Sequence, residues 1–221
     1  MYITKDFVLV HMNKTGCTTV KDFMVKYFGA SVHKFKHAPL RMLDDIHRDK
    51  TKIGVIRNPY DWYASYYSYL VSAGRLTTQS FDEFVKTYTK HPRALLDFMG
   101  KKVRRKFENL YPPKTNLPIG SWSYHFINYF MYNAIEMFKT WGSETLDCEC
   151  DENGHLYDVD ILLRTEHLMN DMVSVFGNSY KDRIESFPRK NVSTNKPAIT
   201  DELKEVIKER ESILMEYLGY E

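Results

Sequence analysis

The sequence predicts a doubly wound α/β fold, a central parallel sheet flanked by helices. Three observations carry this. Residues 7–11 (FVLVH) and 52–57 (KIGVIR) are apolar runs rich in β-formers and lacking strict polar alternation, as strands buried on both faces are. Each run leads into a segment with helical spacing of apolar residues. The chain has 221 residues, 43% of them apolar, enough for one sizeable core, and it reads as a single domain over 1–221.

The elements follow in order. After the first strand, helical spacing runs from Thr18 to Phe28, with Gly29 placed to close the helix. The second strand ends at Arg57. Asn58 is a capping residue for the next helix and Pro59 suits its first position; that helix runs to Ser72, with Gly74 beyond. Ser80 and Glu83 form a capping box for another. Residues 93–107 read as a helix ending in the basic run KKVRRK, and the Pro-rich stretch 109–120 as loop. Residues 125–141 have helical spacing. Residues 148–163 read as a hairpin around DENG. A short helix closes at Gly177, residues 187–197 form a polar cationic loop, and Thr200 caps a final helix to Leu218.

Composition excludes several classes. Net charge is +2 with 27% charged residues, so nothing demands nucleic acid or an anionic membrane as partner. No apolar run approaches the roughly 20 residues needed to span a bilayer, and the first residues do not read as a leader. Cys17, Cys148 and Cys150 make no disulfide framework, which fits a reduced, cytoplasmic protein as the simplest reading; a truncated lumenal domain would look similar. The histidines have no metal-ligand spacing and the Cys148/Cys150 pair has no second pair, so no metal is expected.

The turn NKTGCTT, between the first strand and its helix, combines Lys14, Gly16 and the hydroxyls of Thr15, Thr18 and Thr19. A small-residue turn at a helix N-terminus presents unpaired N–H groups to an anion. It is not a Walker A loop, because Lys14 precedes Gly16, and no strand ends in a Mg²⁺-binding aspartate of the Walker B kind. Arg57 ends the second strand, at the carboxyl edge where open α/β sheets bind ligands, and a guanidinium grips phosphate through two N–H groups. Ser65, on a polar stripe with Asp61, Ser68 and Ser72, is placed to offer a hydroxyl to the same anion. Two cationic sites on two βα turns suggest one ligand with two anionic ends.

These residues carry a resemblance. HMNKTGCTT resembles the H-I-P-K-T-G-G-T-[TS] loop of carbohydrate-type sulfotransferases, and IRNPYDWYASYY resembles their V-R-N-P-[YW]-D-R-x-x-S-x-Y segment. KHAPLRML, LLRTEHLMND, RKNVSTNKP and EYLGYE match weaker motifs in family order, over nearly the whole chain. The resemblance implies a P-loop NTPase-like fold. It implies 3′-phosphoadenosine 5′-phosphosulfate (PAPS) as donor, PAP as product, and no metal requirement. Lys14, Thr15, Gly16, Cys17, Thr18 and Thr19 would cradle the 5′-phosphosulfate. Arg57 and Ser65 would hold the 3′-phosphate, and Arg189 or Lys190 would close over the nucleotide.

Two residues depart from the pattern. Asn13 replaces a proline and Cys17 a glycine, so Cys17 is strained if that position needs a positive φ, and its thiol is expected to be oxidation-sensitive at a helix N-terminus. Sulfuryl transfer needs a base for the acceptor hydroxyl, in-line alignment and a cation on the leaving phosphate. His37 is read as the base, with His11 as rival, and Lys14 as the cation. The acceptor is a carbohydrate or small-molecule hydroxyl. A P-loop kinase and a nucleotide-binding module without catalysis are the alternatives.

Overall fold

The computed structural model describes residues 1–92, 117–140, 156–190 and 195–221. The helix expected over 93–107 with its basic run, most of the Pro-rich loop, Cys148 and Cys150, and residues 191–194 lie outside these. The described residues fall into two compact units. The first holds residues 1–57, 129–132 and 156–190; the second holds 58–92, 117–128, 133–140 and 195–221.

The first unit is built on a five-stranded mixed sheet. Its strands are β1 (Tyr2–Ile3), β2 (Phe7–Val10), β3 (Ser31–Val32), β4 (Thr51–Ile56) and β5 (Ile161–Arg164), in the order β3-β1-β2-β4-β5. β2, β4 and β5 are parallel, with Leu9 opposite Ile53 and Val55 opposite Leu163. β1 pairs antiparallel with both β2 and β3. These two-residue strands carry too few residues for a periodicity to register, and they make the sheet mixed rather than wholly parallel.

Helix α1 (Cys17–Phe28) and helix α6 (Leu168–Phe176) cover one sheet face. Val20, Phe23, Met24, Met172 and Phe176 pack there with Leu9, Ile53, Val55 and Leu163. Burial of each such side chain contributes about 1.5–3 kcal/mol, so this layer holds the strand ends in place. On the other face Val8, Val10 and Ile56 are fully buried. There a Cβ at Gly54 would stand 2.8 Å from Leu162 and 3.0 Å from Phe130, so this strand position accepts only glycine without local repacking.

The first arm and the turn of the hairpin expected over 148–163 lie outside the described residues. Among the described residues only Ile161–Arg164 is strand, and it runs parallel to β4. The helix expected over 125–141 starts earlier and is broken in two, with α4 at Ser121–Phe130 and α5 at Ala134–Thr140. At the break, Asp158 bonds to two backbone groups. Its N–H donates to the Phe130 carbonyl (2.9 Å) and its carboxylate accepts from the Tyr132 N–H (2.6 Å).

The second unit contains α2 (Pro59–Ser72), α3 (Phe81–Lys90), α5 and α8 (Asp201–Tyr217), with the first eight residues of α4; a short helix, α7 (Lys181–Glu185), belongs to the first unit. The expected caps form. Asn58 accepts from the Tyr60 N–H, Ser80 and Glu83 close their capping box, and Thr200 accepts from the Leu203 N–H. All ten residues of α4 are buried, so its aromatics are core. Among the described residues no helix is long and apolar enough to cross a membrane.

Candidate functional site

Three parallel neighbours must end at one edge of the sheet, so the residues after β2, β4 and β5 meet there. After β2 comes the turn at Lys14. Its backbone is left-handed at Lys14 (φ 64°) and at Gly16 (φ 78°), and α1 begins at Cys17 with no side-chain cap and no acid in its first turn. Alternating handedness of this kind turns successive N–H groups toward one concave side. Cys17 starts the helix and needs no positive φ; the left-handed positions are Lys14, where a Cβ makes this costly, and Gly16, where it costs little.

The side chains divide by direction. Thr15 is fully buried; its hydroxyl donates to the Met12 carbonyl (3.1 Å) and lies 3.2 Å from Cys17 Sγ. Thr15 therefore offers an anion its backbone, not its hydroxyl. Cys17 is 1% exposed and burial pushes its thiol up to about 12, which opposes the oxidation sensitivity expected of a thiol at a helix N-terminus. Thr19 is also buried, and its hydroxyl accepts from the Lys190 N–H (3.0 Å). Asn13, Lys14, Gly16 and Thr18 are the half-buried residues of the turn.

Arg57 directly follows β4, and its Nη1 lies 3.5 Å from the Lys14 carbonyl. Burial, then the charges of Arg57 and Lys36, hold the Lys14 ammonium below the ordinary lysine value. The Arg57 and Lys36 side chains therefore lie close enough to Lys14 to act on its charge. Arg189 Nη2 donates to the Thr165 carbonyl (3.3 Å), so Arg189 and Lys190 both reach this edge. Ser65 belongs to the second unit, where it is buried on α2. Two residues of its stripe hold residues 195–196: Lys196 pairs with Asp61 (3.2 Å) and the Ser68 hydroxyl donates to the Asn195 carbonyl (3.1 Å), whereas the Ser72 hydroxyl donates to the Tyr69 carbonyl (3.0 Å).

His37 is half-buried. Its Nδ1 lies 2.9 Å from the His11 carbonyl, which can only accept, so Nδ1 carries the proton and Nε2 keeps its lone pair in the neutral ring. The His11 and His37 rings lie 4.7 Å apart. Burial, opposed by the bond to His11, lowers His37 from 6.5 to about 4; burial, then His37 and Lys36, lowers His11 to about 2. Both folded values lie below the unfolded one, so the stability involved is complete above pH 6.5 and declines as pH falls toward 4. Each ring can remove up to about 1.4 kcal/mol per pH unit over that window. The urea midpoint is expected to fall between pH 7.5 and 5.5, and less so in a His11→Gln/His37→Gln variant; an unchanged wild-type midpoint would mean that both rings take up protons freely in the fold.

Thr165, which the sequence reading passed over, follows β5 directly. Its hydroxyl is 2.7 Å from both the Thr15 and the Ile56 carbonyls. Among the described residues no cluster of His, Cys, Asp or Glu could hold a metal ion. Comparisons with protein-family models, with curated proteins and with solved structures find no match to this chain.

Proposed function

We propose that this chain is a sulfotransferase of P-loop NTPase-like fold, moving a sulfuryl group from PAPS to a hydroxyl acceptor, with a carbohydrate favoured by the sequence resemblance. The observation that carries this reading is the turn at Lys14. It joins left-handed backbone at Lys14 and Gly16 to an uncapped, acid-free helix start, beside Arg57, which follows the neighbouring parallel strand. That combination suits a ligand rich in negative charge.

In this reading the backbone N–H groups from Thr15 to Thr18 and the Lys14 ammonium receive the 5′-phosphosulfate. Lys14 takes up the charge that develops on the leaving phosphate. Arg57 grips the 3′-phosphate, and Arg189 and Lys190 flank the nucleotide. The acceptor hydroxyl attacks in line with the breaking S–O bond and passes its proton to His37 Nε2. A ring held neutral down to about pH 4 is ready for that role at neutral pH, as a weak base.

Calorimetric titration with PAP, without Mg²⁺ and with ATP as control, tests the reading. Tight, metal-independent binding that requires the 3′-phosphate is expected. Equal binding of ATP, with Mg²⁺-dependent turnover, would replace the reading with a P-loop kinase. Turnover of PAPS in an acceptor screen then separates an enzyme from a nucleotide-binding module.

A further inference from the structure

We infer that Thr165 is a positioning residue that sets the direction of the Gly16 N–H in the anion-binding turn, an inference that rests on reading this turn as an anion site. Thr165 stands where three segments converge. Its hydroxyl meets the Thr15 carbonyl in the turn and the Ile56 carbonyl just before Arg57, both at 2.7 Å, and its own carbonyl accepts from Arg189. A hydroxyl has one proton, so it serves one carbonyl fully and the other in part.

The consequence for the turn follows from peptide geometry. The Thr15 carbonyl and the Gly16 N–H belong to one planar trans peptide, in which they point in opposite directions. Fixing the carbonyl against Thr165 therefore aims the Gly16 N–H away from it. This peptide could otherwise rotate about ψ of Thr15 and φ of Gly16, and Gly16, left-handed at φ 78° and without a Cβ, resists such a rotation least. The fit is close: a Cβ at Gly16 would lie 3.4 Å from the Thr165 methyl and 3.5 Å from Leu168. Thr165 thus acts on the ligand through the backbone of the turn, without touching the ligand.

Thr165→Val keeps the shape and removes the hydroxyl; Thr165→Ser keeps the hydroxyl and removes the methyl. PAP affinity by calorimetry and the ¹H and ¹⁵N shifts of the Gly16 amide during titration report the result, with thermal unfolding as the check on folding. The expected result is an approximately ten-fold weaker PAP affinity in Thr165→Val, with the ligand-induced Gly16 shift lost and the affinity restored in Thr165→Ser. Wild-type affinity and a wild-type Gly16 response in Thr165→Val would overturn the inference and leave the sulfotransferase reading standing. If wild-type protein does not bind PAP, that reading fails, and pyrophosphate becomes the probe. A Gly16 response to pyrophosphate that Thr165→Val abolishes would still support the positioning role, whereas no response in wild-type protein would overturn it.

Discussion

Lys14→Ala is expected to lower kcat/KM with PAPS by about 10²–10³-fold, the size seen when one preorganised donor to a developing charge is removed, with PAP affinity falling alongside. The geometry adds a second expectation that separates function from folding. Lys14 has φ 64°, a left-handed conformation that costs a residue with a Cβ roughly 1–2 kcal/mol. Alanine inherits that strain and glycine escapes it. Lys14→Gly is therefore expected to be as inactive as Lys14→Ala yet more stable by about 1 kcal/mol, after glycine's own entropic cost. Turnover, PAP calorimetry and thermal unfolding of the two variants decide it. Full activity in Lys14→Ala would remove the lysine from the chemistry. Equal stability of the two variants would mean that the turn relaxes without the side chain.

The largest stability effect is expected at Glu211, in the second unit. This carboxylate is 1% exposed and accepts from three donors: the Tyr63 hydroxyl (2.6 Å), the Trp122 N–H (3.0 Å) and the Ser123 N–H (2.9 Å). Burial pushes the carboxyl above its ordinary value, opposed by these donors. Two of the donors are first-turn N–H groups of α4, so a residue of α8 caps another helix from a distance. The fit extends to Gly120, where a Cβ would collide with the Glu211 carboxylate and stand 2.9 Å from the Tyr63 hydroxyl. Glu211→Ala leaves three buried donors without an acceptor and is expected to cost about 3–5 kcal/mol. Glu211→Gln can keep the two bonds at one oxygen while turning its NH₂ toward Ser123, at about 1–3 kcal/mol. Urea unfolding of both variants measures this; a cost below about 1 kcal/mol for Glu211→Ala would mean that water replaces the carboxylate.

The two residues overlooked in the sequence, Glu211 and Thr165, were hidden for different reasons. Glu211 lies in KERESILMEY, which looks like a charged surface. Its signal was register: it continues the buried spacing of Leu203 and Ile207 toward Leu214 and Met215. An acid on the buried face of an amphipathic helix calls for donors, but the sequence does not say which helix supplies them. Thr165 was obscured by the hairpin reading of residues 148–163. A hairpin reading does not say which neighbour its second arm pairs with; parallel pairing with β4 brings the residues that follow that arm to the edge where β2 and β4 end.

The sequence by itself determined the strand–turn–helix units, the caps at Asn58, Ser80 and Thr200, and the turn at Lys14 with Arg57 as candidate residues. Each of these is written in neighbouring residues: apolar runs, capping side chains, a small-residue turn. Only the tertiary structure decided that β5 is parallel, that the predicted 125–141 helix breaks after Phe130, beside Asp158, and that Thr15, Cys17 and Thr19 turn inward while Thr165, Arg189 and Lys190 gather at the turn. Those outcomes depend on which strand pairs with which, and on which buried carbonyl each hydroxyl finds. Both are settled by packing between segments far apart in the chain.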